Sequence, residues 1–323
     1  MANGLQGDHL SSGLRPLACL AAALESFRQG ADDILRRFSG IRLSAATVRS
    51  AAKRAGAELA RRQQQGDVVV PVQPQAWDFS VEGHSRSVAY LGLDAFSVPM
   101  QKPGGGKDEH RMLYTAVLYT PDKSRSHYLV DFSLDRLAAQ MRQAAIQLGL
   151  GKADVTLAVC DAGNGLEEAL RRHFRDDLLC ILDWYHAAEH LHGYAAALYG
   201  RDSAQAAAWS QRAKGILYEK GGKALLAHLR GLEVPADACL AEELRKLIGY
   251  FSNNEHRTDY PAYRRQGYDI GSGPTEAACK IVGARLKGSG MRWLEAGAAE
   301  VAPLRALYLS GAAAWDAFWA LAA

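Results

Sequence analysis

Strand-type runs followed by alternating strand and helix predict an α/β fold whose sheet is antiparallel first and parallel later. Three β-type runs come in succession: SVAYLGLDAF, RMLYTAVLYT and SHYLVDF. Then SLDRLAAQMRQAAIQLGL reads as a helix, VTLAVC as a strand, GLEEALRRHF as a helix and LLCILD as a strand. The Ala-rich stretch 186–250 reads as helical, and helices return from 274 to the end. That order predicts one sheet-centred fold interrupted by an all-helical insertion.

The elements divide the chain into five parts. Residues 1–65 are an N-terminal helical region. LACLAAALESFRQGADDILRRF has apolar residues at helical spacing. After it, Ser44 is a plausible N-cap for a helix with Val48, Ala52 and Ala55 inward and Arg49, Lys53 and Arg54 outward. Two helices around a Gly-containing turn resemble a helix-turn-helix, which would set Arg49 and Lys53 against DNA; a plain helical packing unit is the alternative. Residues 66–86, with two prolines and just after three consecutive glutamines, read as a linker. Residues 87–200 hold the strands, with PMQKPGGGKDEH as a Gly-rich hairpin loop. Residues 201–262 form the helical insertion, and 263–323 complete the core.

Composition narrows the class. The chain has 323 residues, 48% hydrophobic and 23% charged, as expected of a soluble globular protein. No apolar run approaches the roughly 20 residues that span a bilayer, and no secretory signal is visible. Five cysteines, odd in number and without CxxC pairing, fit a reduced, cytoplasmic protein. Net charge is only +3, but basic residues gather late: Arg257, Arg264, Arg265, Lys280, Arg285, Lys287 and Arg292. A solvated surface is the bland reading of each; a DNA-gripping face is the functional one.

Three acids carry the chemistry. VAYLGLD and VTLAVCD are buried-type strands, each read as ending in an aspartate, Asp94 and Asp161. Ligand sites in such sheets lie beyond strand ends. Glu276 opens a helix in GSGPTEAACK, with Ser272 as a cap and Pro274 in the first turn. Carboxylates from separate elements that converge hold divalent metal ions for phosphate-ester chemistry. Singly, each has a structural explanation: a turn aspartate, or a glutamate at a helix dipole. A competing signal lies in DWYHAAEHLH, where His186, Glu189 and His190 fit the H-x-x-E-H pattern of zinc peptidases, with Glu255 or Glu276 as a further ligand.

LGLDAF, CDAGNGL, ILDWYHAAEHL, the run YFSNNEHRTDYPAYRRQGYDIGSGPTEAACKIVGARLKGSGMRW and finally LRALYLSGAAAWDAFW cover most of residues 88–319. In these motifs the chain resembles DDE transposases of bacterial insertion sequences, most closely the ISKra4 family. The resemblance implies an RNase H-like catalytic core, a mixed five-stranded sheet with flanking helices. It implies two Mg²⁺ ions, replaceable by Mn²⁺, on three acids that match Asp94, Asp161 and Glu276. It implies double-stranded DNA as partner, both terminal inverted repeats and target, and a homo-oligomer on DNA, nucleoid-associated and away from membranes. Asp183-Trp184-Tyr185-His186 matches a separate C/D-x-x-H signature of related superfamilies. That makes Asp161 the second ligand and Asp183 and His186 accessory; the exchange, with Asp183 as ligand, stays open. Lys280, Arg285, Lys287 and Arg292 would line the DNA face, and Trp293 is a core residue or a base-stacking one. Longer family members carry further DNA-binding sequence, so a truncated chain is expected here, and a non-catalytic DNA-binding relic is the alternative function. Ala95 follows Asp94 where the family has glycine, and Ala162-Gly163 stands in place of Gly-Ala.

Overall fold

A computed structural model of the protein describes residues 10–68, 77–101, 109–163, 165–175 and 178–322. Its centre is a five-stranded sheet in the order β3-β2-β1-β4-β5. The strands are β1 (Val88–Met100), β2 (Glu109–Tyr119), β3 (Ser126–Asp131), β4 (Val155–Cys160) and β5 (Leu178–Leu182). β2 is antiparallel to β1 and β3, while β4 is parallel to β1 and β5. This is an RNase H-like arrangement, and it meets the expected sequence of antiparallel then parallel strands. Most of the Gly-rich hairpin loop lies outside the described residues.

Strand alternation splits the core between two faces. On one, Ala89, Leu91, Leu93, Ala158 and Cys160 pack under α4 (Leu134–Leu148) and α5 (Leu166–Phe174). Ser133 accepts a hydrogen bond from Arg136 N at the start of α4, and Gly149 ends it in the left-handed conformation. On the other, Val88, Tyr90, Leu157, Val159 and Ile181 pack with α6 (Trp184–Tyr199), α7 (Ala204–Arg230), α8 (Ala238–Asn253) and the short α9 (Tyr260–Arg265). Within the stretch expected as the helical insertion stand α7 and α8, and α9 straddles its expected end at residue 262. The same face is completed by α10 (Gly273–Leu286) and α11 (Glu295–Leu309), which cover Phe96, Val98 and Met100.

Two features of the chain's organisation were not visible in the sequence. The N-terminal helices are α1 (Leu14–Leu24), α2 (Phe27–Gln29) running on into a π-helix (Gly30–Phe38), and α3 (Ala45–Gln64). They share a core with α11 and α12 (Ala312–Ala322), through Leu59, Leu304, Trp315 and Phe318. Gly56 shows how close the packing is: a Cβ there would collide with the Glu300 carbonyl of α11. Sequence periodicity marks an apolar face but not its partner, so this joining of the two chain ends was hidden. The expected linker is likewise packed rather than free where it is described, for Val68 and Phe79 are buried under the sheet. Among the described residues no helix is long and apolar enough to cross a membrane.

Candidate active site on the open sheet face

The strand register brings the expected acids together in the backbone. β1 and β4 pair in parallel to Gly92 opposite Val159. Carrying that register two residues on sets Asp94 opposite Asp161, on the face of Tyr90 and Val159. Asp161 follows the last residue of β4, as expected. Asp94 does not end its strand: β1 runs on to Met100 because its pairing with β2 continues through Asp94 opposite Thr115. What ends two residues before Asp94, at Gly92, is the parallel pairing with β4.

Glu276 reaches the same face because α10 lies directly on β1. Gly92 permits this, since a Cβ there would collide with Thr275 Oγ1. One turn on from Glu276, Cys279 Sγ donates to Asp94 Oδ2 at 3.5 Å. Glu276 and Lys280 form an exposed i,i+4 pair at 3.5 Å. Ser272 occupies the N-cap position, with Pro274 after it, but its hydroxyl makes no cap hydrogen bond.

Asp183, after β5, is the third aspartate on this face, and its surroundings differ. Its side chain is 0% exposed. The carboxylate accepts from Tyr185 N, His186 N and Ser272 N, the last at 2.9 Å, and pairs with His186 Nδ1 at 2.6 Å. Burial pushes its pKa up, but the hydrogen bonds from His186 and Ser272 more than offset this and hold it below the usual value. The same bond to Asp183, with the nearby Asp161 charge, raises His186 to about 9 despite partial burial. Asp183 therefore caps α6, holds His186 cationic and ties it to the residue that precedes α10.

The segment between the insertion and α10 laces across the strand ends. Arg257 Nη2 donates to the Asp161 carbonyl at 3.0 Å and Nη1 to Cys160 Sγ at 3.4 Å. Tyr260 donates to the Leu182 carbonyl, Asp269 N donates to Tyr90 Oη, and Trp184 N donates to the Ile270 carbonyl. Arg257 is only 1% exposed and pairs with Glu167 of α5 at 3.3 Å. The surface reading of Arg257 is thus wrong, and its bracing of the Asp161 turn was missed. Composition offers no signal for it, because a buried arginine and a solvated one look alike in sequence. Tyr250 was missed as well. Its hydroxyl is buried and makes no hydrogen bond by strict geometry, yet lies near enough for Asp161 to add to the rise that burial gives its pKa. His190 stacks on the Tyr250 ring at 3.7 Å.

One of the expected DNA-facing residues stands elsewhere, and Trp293 takes the core role of its two readings. Arg285 is buried, not on the surface, because its Nε donates to the Ala22 carbonyl at 2.6 Å and its guanidinium lies over Phe27 and Trp293. Trp293 is a core residue whose Nε1 donates to the Leu286 carbonyl. Arg49 and Arg292 are exposed, Lys53 pairs with Glu300 at 3.3 Å, and Lys287 lies over the Phe96 ring.

The donor chemistry of Asp94, Asp161 and Glu276 suits a hard divalent cation, since all three offer carboxylate oxygens and none is fully buried. The side chains do not close on one point. Asp94 Oδ1 accepts from Ala95 N at 2.7 Å, and Asp161 Oδ1 from Ala162 N at 2.6 Å, so each folds back on its neighbour. Among the described residues no group of three or more His, Cys, Asp or Glu side chains stands close enough to hold a metal ion, and this covers the H-x-x-E-H set too. Compared with known proteins, the chain matches no family model and no curated protein.

Proposed function

We propose that the protein is a DDE-type transposase, similar to those of the ISKra4 family, which cuts DNA at the ends of an insertion sequence and joins them to target DNA. One observation carries the reading. Asp94 on β1 and Asp161 just after β4 stand on neighbouring parallel strands of an RNase H-like sheet, and the helix that carries Glu276 packs on β1 through Thr275 against Gly92. Backbone positions support the reading; the side-chain arrangement does not by itself close a site.

The three carboxylates would hold two Mg²⁺ or Mn²⁺ ions, which when bound supply polarisation of the scissile phosphate and of the attacking oxygen. In the first step water attacks a phosphodiester, the P–O3′ bond breaks and a 3′-hydroxyl is freed. In the second that hydroxyl attacks a target phosphodiester, a new P–O bond forms and the target's own 3′ oxygen leaves. Asp183 keeps His186 cationic beside Asp161, so positive charge lies next to the acids where negative charge develops on phosphate. Arg257 fixes the turn that carries Asp161. Lys280, Lys287, Arg49, Lys53 and Arg292 are proposed to hold double-stranded DNA by its phosphates, with a homo-oligomer assembled on the element ends in the nucleoid.

The test is strand cleavage of a labelled duplex that contains the DNA flanking the gene. Mg²⁺-dependent nicking that is lost in Asp94→Asn, Asp161→Asn and Glu276→Gln, with DNA binding kept, is the expected result. Retained nicking in all three variants excludes the assignment. No nicking by the wild-type chain, with DNA binding intact, makes it a binding relic.

A further inference from the structure

Four cations expected to lie along a DNA face meet in one concavity. Arg49 and Lys53 of α3, Arg285 of α10 and Arg292 beyond it line a pocket of about 500 Å³, with Phe27 and Trp293 in its wall. They come from two widely separated stretches of chain, brought together by the packing of α1 and α3 on the C-terminal helices. No carboxylate is among the residues that line it; Lys53 is balanced by Glu300, which stands outside the lining.

Arg285 makes this more than a basic surface. It is 3% exposed, and among the described residues it forms no ion pair with a carboxylate. Its Nε is used by Ala22, its Nη1 reaches only Met291 Sδ at 3.9 Å, and its Nη2 is buried with no hydrogen-bond partner. A guanidinium buried without a direct ion pair is costly, and an unmade donor adds to the cost. Burial, with Arg305 nearby, brings its pKa down to about 10 against the opposing pull of the Glu25 charge, so it is still charged at neutral pH. A charged group with an idle donor, in a pocket ringed by further cations, is chemistry that an anion completes. Guanidinium groups match phosphate oxygens in geometry and charge.

We propose that this pocket binds a phosphate of duplex DNA, with buried Arg285 inside it and exposed Arg49 and Arg292 at its rim. The proposal rests on the DNA-processing reading above. α10 links the two places, with Glu276 in its first turn and Arg285 in its last, roughly 14 Å apart along the axis at about 1.5 Å per residue. Lys280 and Lys287 lie on or at the end of the same helix.

The experiment uses the full chain and a fluorescent duplex, with anisotropy read over a series of salt concentrations. Changing Arg285 itself would also free the Ala22 carbonyl and unsettle α1, so the probe is the double variant Arg49→Gln, Arg292→Gln, checked for an unchanged melting temperature. Affinity is expected to fall at least about tenfold, and the slope of log affinity against log salt to flatten by about 2, one for each lost phosphate contact. Wild-type affinity and slope in the double variant overturn the proposal, whatever the cleavage assay gives. Inorganic pyrophosphate alone serves as the second arm. Binding of pyrophosphate that the double variant loses and that duplex DNA does not displace assigns the pocket to a free phosphate and overturns the DNA source. Salt-sensitive DNA binding lost in the double variant, from a chain that never nicks DNA, upholds the pocket and removes the transposase reading.

Discussion

β4 and β5 lie side by side, run in the same direction, and each is followed by an aspartate on the same face of the sheet. The two carboxylates have opposite surroundings. Asp183 is wholly buried and takes hydrogen bonds from three backbone N–H groups and His186. Asp161 is partly exposed; its side chain accepts only from the next residue's N–H, while its carbonyl is held by Arg257. Strand-end position is therefore shared, and the donors around each carboxylate set what it can do. A carboxylate whose oxygens are committed to backbone and histidine donors is a brace. One whose turn is fixed while its side chain takes only a local bond is the one proposed above as a metal ligand.

The largest expected effect separates the two by function. Asp161→Asn should slow Mg²⁺-dependent strand cleavage about 10²–10³-fold or more, the scale of removing one charge-stabilising group from a preorganised site. Its urea midpoint should move by no more than about 0.5 kcal/mol in stability, as few contacts are lost. Asp183→Asn should do the reverse in stability, costing about 2–3 kcal/mol by chemical denaturation, because a buried charge-assisted bond to His186 is replaced by a neutral one. Equal stability in the two variants breaks the contrast.

A smaller effect should appear with pH. His186 has a folded pKa raised to about 9, above the ordinary histidine value of 6.5. Its contribution is complete below about 6.5 and is lost as pH rises through about 9. Asp183 is lowered, so its contribution is present above the ordinary carboxylate range and is lost as pH falls below it. Between pH 6.5 and 9 the wild-type chain should lose about 1–2 kcal/mol through His186, after allowance for solvent screening of a group 32% exposed. That loss should vanish in Asp183→Asn; its persistence would mean that His186 does not depend on Asp183. The smallest effect belongs to Lys280→Gln, which removes an exposed pair with Glu276 and should change stability by less than about 0.5 kcal/mol by thermal melting.

Much of this arrangement was legible in sequence, and the illegible part has a common cause. Alternating runs with turn residues between them fixed the order of the strands, the helix after Asp183 and the place of Glu276 behind Pro274. Local pattern also led to Asp161, since a short buried strand followed by Asp-Ala-Gly marks a turn at a strand end. It misplaced Asp94, because the continuation of β1 depends on β2, a pairing that no local run reveals. Arg257 and Arg285 were read as surface cations because charge is visible in sequence and burial is not. Both are bound to backbone carbonyls far away in the chain, Asp161 for one and Ala22 for the other. The joining of α3 to α11 escaped for the same reason: Gly56 and Glu300 meet only in the folded chain.

The contrast between Asp161 and Asp183 is tested most directly by replacing each in turn with cysteine and measuring strand cleavage in Mg²⁺ and in Mn²⁺. A thiolate suits a softer ion and fails with magnesium, so only a metal ligand shows selective rescue. Asp161→Cys should be inactive in Mg²⁺ and regain cleavage in Mn²⁺, while Asp183→Cys should be equally impaired in both. Selective rescue of Asp183→Cys, with none for Asp161→Cys, would reverse the two roles and contradict the account.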